Sequence, residues 1–138
     1  MGYVQGAGFS RRKPSAKVDE QEVPLEDDEQ IMFVVWLKKR LILHFAVMNG
    51  SKRSLAYAAK CKRMGLAAGV PDLIIPVPNG QYHGLAIEMK RTKGGVTSES
   101  QRFWLDALKL NGWQAVIARG CKEAIRLTEE YFADTKKS

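Results

Sequence analysis

Residues 69–90, GVPDLIIPVPNGQYHGLAIEMK, hold two apolar, β-prone runs on either side of a Pro-Asn-Gly turn signal. Asp72–Val77 and Tyr82–Lys90 therefore read as the strands of a hairpin. Each run carries one acid: Asp72 heads the first, and Glu88 sits inside the second, which is otherwise apolar on both faces. An ionised carboxylate buried without a partner costs several kcal/mol or takes up a proton. A cation nearby removes that difficulty. Glu88 and Lys90 are two residues apart and so project from the same face of a strand.

Whether Asp72 joins them depends on the turn. A two-residue turn at Asn79-Gly80 sets Asp72 opposite Ile87 and turns Glu88 to the other face. A three-residue loop of Pro78, Asn79 and Gly80, or an equivalent bulge, sets Asp72 opposite Ala86 instead. Glu88 is then its diagonal, same-face neighbour, roughly 7–8 Å away at Cα. The three-residue loop is the expected one, because Pro suits the first turn position and Gly the left-handed one. Two carboxylates so placed can share one Mg²⁺ (or Mn²⁺) ion with oxygen ligands at about 2.1 Å, leaving water positions open beside a phosphate. Such an ion acidifies a bound water, and Lys90 is placed to orient that water or to neutralise charge in the transition state. Each part has an ordinary reading too: Glu-x-Lys is a common surface pair, and Pro-Asp a common turn dipeptide. Their joint occurrence in two apolar runs joined by a turn favours the site.

Working outward, residues 1–24 lack apolar periodicity and read as an unstructured tail, as do residues 135–138; residues 25–134 read as one domain. A helix is expected from about Leu25, with Glu26, Asp27, Asp28 and Glu29 at its positive end and Lys38, Lys39 and Arg40 toward the other. Gln30, Val34, Leu37 and Leu41 follow helical spacing, with Ile31 and Val35 widening the stripe. Leu43–Met48 reads as a strand and SKRSLAYAAKCKRMG as a loop and short helix closed by Gly65. SESQRFWLDALKLNG reads as a helix opened by the capping-box pair Ser98 and Gln101. A strand at Trp113–Ala118 and a helix at Lys122–Phe132 complete the order α-β-(α)-β-β-α-β-α. The fold class is α/β, a mixed central sheet flanked by helices.

The chain has 22 Lys and Arg against 15 Asp and Glu, for a net charge of +7. Residues 1–30 contain four basic and seven acidic side chains, so residues 31–138 carry +10. A basic folded part suits a polyanionic partner. Cys61 and Cys121 form no CxxC pair and read as incidental thiols rather than zinc ligands or a disulfide. No apolar run approaches the roughly 18 residues of a membrane span, and MGYVQGAGFSRRKPSAK lacks a signal-peptide core, so a cytoplasmic location in a bacterial or phage-infected cell is expected. His44 and His83 lack zinc-ligand company. Trp36, Trp104 and Trp113 sit where core packing is the expected role.

GVPDLIIP followed by GLAIEMKR resembles the signature of the PD-(D/E)XK nucleases. NGSKRS, KRMGLAAGVPD, YHGLAIEMKRTKGG and SESQRFWLDALKLNGW extend the likeness, over residues 26–131, to the VRR-NUC (virus-type replication-repair nuclease) branch in its stand-alone phage and bacterial form. The resemblance implies a restriction-endonuclease-like core and a Mg²⁺- or Mn²⁺-dependent deoxyribonuclease acting on branched or flapped DNA. It further implies kinship to Holliday-junction resolvases that work as homodimers. The family adds a Glu from the first helix; Glu26, on the face of Gln30, is preferred, with Glu29 as the rival. A family Gln corresponds to Gln101, which is also the capping-box residue. The catalytic set is thus Asp72, Glu88, Lys90, Glu26 and Gln101, with Arg53, Lys62, Arg91 and Lys93 as DNA contacts. Two other readings remain: a basic DNA-binding module without chemistry, and a protein-interaction domain, which leaves the +10 unexplained.

Overall fold

The structure is a computed structural model and describes residues 24–48 and 54–134. The chain order is α1 (Glu26–Lys39), β1 (Phe45–Ala46), α2 (Leu55–Arg63), β2 (Leu73–Ile75), β3 (Leu85–Lys90), α3 (Glu99–Leu110), β4 (Gln114–Arg119) and α4 (Cys121–Ala133). The four strands form one mixed sheet in the order β1-β2-β3-β4. The pairs β1·β2 and β2·β3 are antiparallel, while β4 runs parallel to β3 after the α3 crossover. This is the expected α/β architecture. The tails at residues 1–23 and 135–138, and Arg53, lie outside the described residues. No helix among the described residues is long and apolar enough to cross a membrane.

β3 is buried along its whole length because it has a neighbour on each edge and helices on both faces. Leu85, Ile87 and Met89 join Leu73, Ile75 and Ala118 in a core closed by Phe33 and Leu37 of α1 and by Ala124 and Tyr131 of α4. On the opposite face Ala86, Ile74 and Ala115 pack against Leu105 of α3. The strand alternation thus directs Glu88 and Lys90 toward the α3 side.

Three expectations need correction. The hairpin register follows Leu73↔Ile87, Ile74↔Ala86 and Ile75↔Leu85. Continued by one residue it sets Asp72 directly opposite Glu88, not opposite Ala86; the face is unchanged, since the slide is two residues. The reason lies in the connection, which is no tight turn. The Asn79 side chain accepts from the backbone N–H groups of Gln81 and Tyr82 and donates to the Tyr131 carbonyl at 2.9 Å. The Tyr131 hydroxyl donates to the Val77 carbonyl. Residues 76–84 are therefore folded onto α4, and the strands shorten.

Second, α1 buries Glu29, Phe33 and Leu37, whereas Ile31, Val35 and Leu41 are exposed. Leu41 falls beyond the helix at φ 55°. Third, the first strand is only Phe45–Ala46, because β2 offers just three residues to pair with.

Candidate active site

The sheet places two carboxylates face to face. Asp72, just before β2, accepts the backbone N–H of Met89 at 2.7 Å, which pins one carboxylate oxygen to β3. Glu88 is only 2% exposed. Its Oε1 lies 3.3 Å from Lys90 Nζ and accepts from Gln101 Nε2 at 2.5 Å. Glu26 reaches the pair from the first turn of α1. Among the described residues, Glu26, Asp72 and Glu88 offer oxygens that all lie within 4.8 Å of one another.

Electrostatics show what this arrangement lacks. Burial, then the Asp72 charge, pushes the Glu88 carboxyl up from 4.5 to about 7, against the opposing pull of Lys90. Asp72 is raised too, by burial first and by Glu26, although the Met89 N–H counteracts this. One ammonium does not balance three acids in a partly buried cluster. A divalent cation would, and opposite ligands of an octahedral Mg²⁺ stand about 4.2 Å apart. The donors are all hard oxygens, none more than 4.8 Å from another, so the residues present suit a hard divalent cation.

Gln101 is the capping-box residue expected of it, and its side chain also meets two members of the cluster. Its backbone N–H donates to Ser98 Oγ, and its Oε1 accepts from the Ser98 N–H at 3.0 Å, which completes the capping box of α3. The same Oε1 accepts from Lys90 Nζ at 3.0 Å while Nε2 holds Glu88. Lys90 is 5% exposed; a buried ammonium needs such partners to stay in place. Gly69 lets the segment before Asp72 approach this helix end. It has φ +85°, and a Cβ there would meet the Ser100 carbonyl carbon at 2.5 Å and the Gln101 nitrogen at 2.7 Å. Only glycine satisfies both demands.

Glu29, the rival acid, does not belong to the cluster. It is buried and accepts the Cys121 N–H at 2.6 Å, a contact spanning 92 positions that no local pattern foretells. Of the basic residues, Lys62 is exposed in the last turn of α2, a helix that buries none of its side chains. Arg91 and Lys93 are exposed in the loop leaving β3. Two arginines not singled out in the sequence hold that loop: Arg119 donates to the Gly95 carbonyl at 3.1 Å and Arg102 to the Thr97 carbonyl at 3.2 Å. The parallel register Lys90↔Arg119 brings Arg119 there; a lone charge ending a strand carries no such signal in sequence.

A mixed sheet between helices, with one acid at the head of β2 and a second acid and a lysine on β3, defines the class as a restriction-endonuclease-like α/β core. Comparison with known proteins narrows this. The model of the VRR-NUC domain family matches residues 17–122. A solved structure titled "VRR_NUC domain protein" is similar at 32% identity and TM-score 0.67, over 82% of this chain and 92% of that one. No curated protein matches. The chain belongs to the VRR-NUC family, and its function is accordingly of the nuclease, DNA-processing kind.

Proposed function

We propose that this protein is a Mg²⁺- or Mn²⁺-dependent deoxyribonuclease that cuts branched DNA, Holliday junctions or flaps, as a homodimer, with Asp72, Glu88, Lys90, Glu26 and Gln101 forming its active site. The observation that carries the reading is the meeting of three carboxylates beside a buried lysine on a family fold of nucleases. Glu26, Asp72 and Glu88 would hold the ion. When bound, it would acidify water and offset negative charge on the phosphoryl oxygens.

The chain's own groups do the rest. The Met89 N–H and Gln101 each occupy one oxygen of Asp72 and Glu88 respectively, which orients the acids before substrate arrives. Lys90, held by Glu88 and Gln101, directs an ammonium at the charge that develops as water adds to phosphorus and the leaving oxygen departs. Arg91, Lys93 and Lys62 supply exposed positive charge for the DNA backbone, with Arg53 assigned the same role from sequence. Nothing in this set reads base edges, so selection by DNA shape is the expected mode. Exposed Ile31, Met32 and Val35 share one face of α1, and Phe45 is exposed on the edge strand. Such apolar surface supports association of two copies.

The test is cleavage of labelled four-way junction, flap and linear duplex by the purified chain with Mg²⁺, Mn²⁺ or EDTA. Metal-dependent cuts in branched DNA, absent with EDTA and in Asp72→Ala and Lys90→Ala, are expected. Undiminished cleavage by Asp72→Ala would overturn the mechanism; DNA binding without any cleavage would favour a non-catalytic binding module.

A further inference from the structure

Glu29 and the turn before α4 together set the position of α1. Gly120, at φ +90°, is the N-cap of α4 and brings no side-chain cap of its own. That vacancy at a positive helix end is filled from α1: the Glu29 carboxylate accepts the Cys121 N–H at 2.6 Å. The neighbouring Gly120 N–H donates at 2.9 Å to the carbonyl of Lys90. Two successive backbone N–H groups thus tie α1 on one side and the strand bearing Glu88 and Lys90 on the other. A Cβ at Gly120 would come within 2.7 Å of Thr92 Cγ2 and 3.4 Å of the Glu29 carboxylate, so the junction is closely packed. Glu26 lies three residues before Glu29, one helical turn away and on the adjoining face.

We infer that Glu29 is a positioning residue: by capping α4 it locks the first turn of α1 against β3 and thereby holds Glu26 at ligand distance from Asp72 and Glu88. The inference rests on the reading of those three acids as a cation site. It explains why a carboxylate is buried in the core face of α1 without entering the acid cluster. Its charge is satisfied by the helix end rather than by the ion.

The experiment is Mn²⁺ titration of the full chain by calorimetry at pH 8, paired with amide hydrogen exchange at Cys121. Glu29→Ala is expected to weaken Mn²⁺ binding about tenfold, as losses of outer-shell support do, and to unprotect the Cys121 amide. Glu29→Gln keeps an acceptor oxygen and is expected to remain within about threefold of the parent. Added to Glu26→Ala, Glu29→Ala should cost less than about a further twofold, because the residue acts through Glu26. If Glu29→Ala does not fold, Glu29→Asp serves: its arm is one methylene short, and binding should again weaken. Unchanged Mn²⁺ affinity in the folded Ala or Asp variant overturns the inference while leaving the cation site intact. A Gln variant as weak as Ala, or full additivity with Glu26→Ala, would mean that Glu29 acts other than by holding Glu26 and would equally overturn it. A parent chain that binds no Mn²⁺ refutes the site itself, and the inference with it.

Discussion

Glu88→Gln should stabilise the metal-free protein while removing its metal response. Gln mimics a protonated Glu, so it lacks the charge that burial and Asp72 oppose. In the folded chain Glu88 titrates at about 7, against 4.5 for the free group. Above pH 7 the folded parent must keep this acid ionised at a cost of roughly 3 kcal/mol relative to the unfolded chain. Between pH 4.5 and 7 the folded state binds more protons than the unfolded one, so stability falls as pH rises through that window. Below it the penalty vanishes. In EDTA at pH 8 the variant should therefore melt above the parent, by about 10 °C for a domain of this size; at pH 4.5 the two should nearly coincide. Mg²⁺ should then raise the parent's melting temperature but not the variant's. Thermal denaturation followed by circular dichroism reads all four conditions. A variant that melts below the parent at pH 8 in EDTA would refute the reasoning, since the carboxylate would then stabilise the fold without an ion.

Other outcomes follow from the same geometry. Metal affinity of the parent should rise with pH up to about 7 and level off above it, as protons cease to compete for Glu88; calorimetry across pH 5.5–8.5 checks this. Gln101→Ala should cost roughly 1–3 kcal/mol in denaturant melts, because the Ser98 N–H, Lys90 and Glu88 each lose a partner while the Ser98 cap itself survives, and should lower turnover by freeing Lys90 and Glu88. Gly69→Ala should destabilise by roughly 2 kcal/mol or more, because its φ of +85° and the 2.5 Å approach to Ser100 both exclude a side chain.

The sequence made the central face of the candidate site legible, because Glu88 and Lys90 share one face of a strand and the actual pairing differs from the expected one by two residues, a slide that keeps Asp72 on that face. The register itself was not legible. It is set by Asn79 and Tyr131, 52 positions apart, whose hydrogen bonds fold residues 76–84 onto α4. Capping logic marked the start of α3, since Ser98 and Gln101 are local partners, but could not show that Gln101 also holds Lys90 and Glu88. On α1 the apolar periodicity was right for Val34 and Leu37, which meet the core, and wrong for Ile31, Val35 and Leu41, which are exposed. Phe33 and Leu37 point to the core together with Glu29, and an acid on a buried stripe breaks the pattern by which such stripes are found. Its partner, the bare N-terminus of α4, exists only after folding.

The account stands on one cation held by residues from three separate elements. Crystals grown in Mn²⁺ and measured at its absorption edge would locate that ion directly. The anomalous peak should lie about 2.1–2.2 Å from oxygens of Glu26, Asp72 and Glu88, with Lys90 and Gln101 adjoining but not ligating. A peak elsewhere, or Asp72 and Glu88 turned from each other around no peak at all, would contradict it.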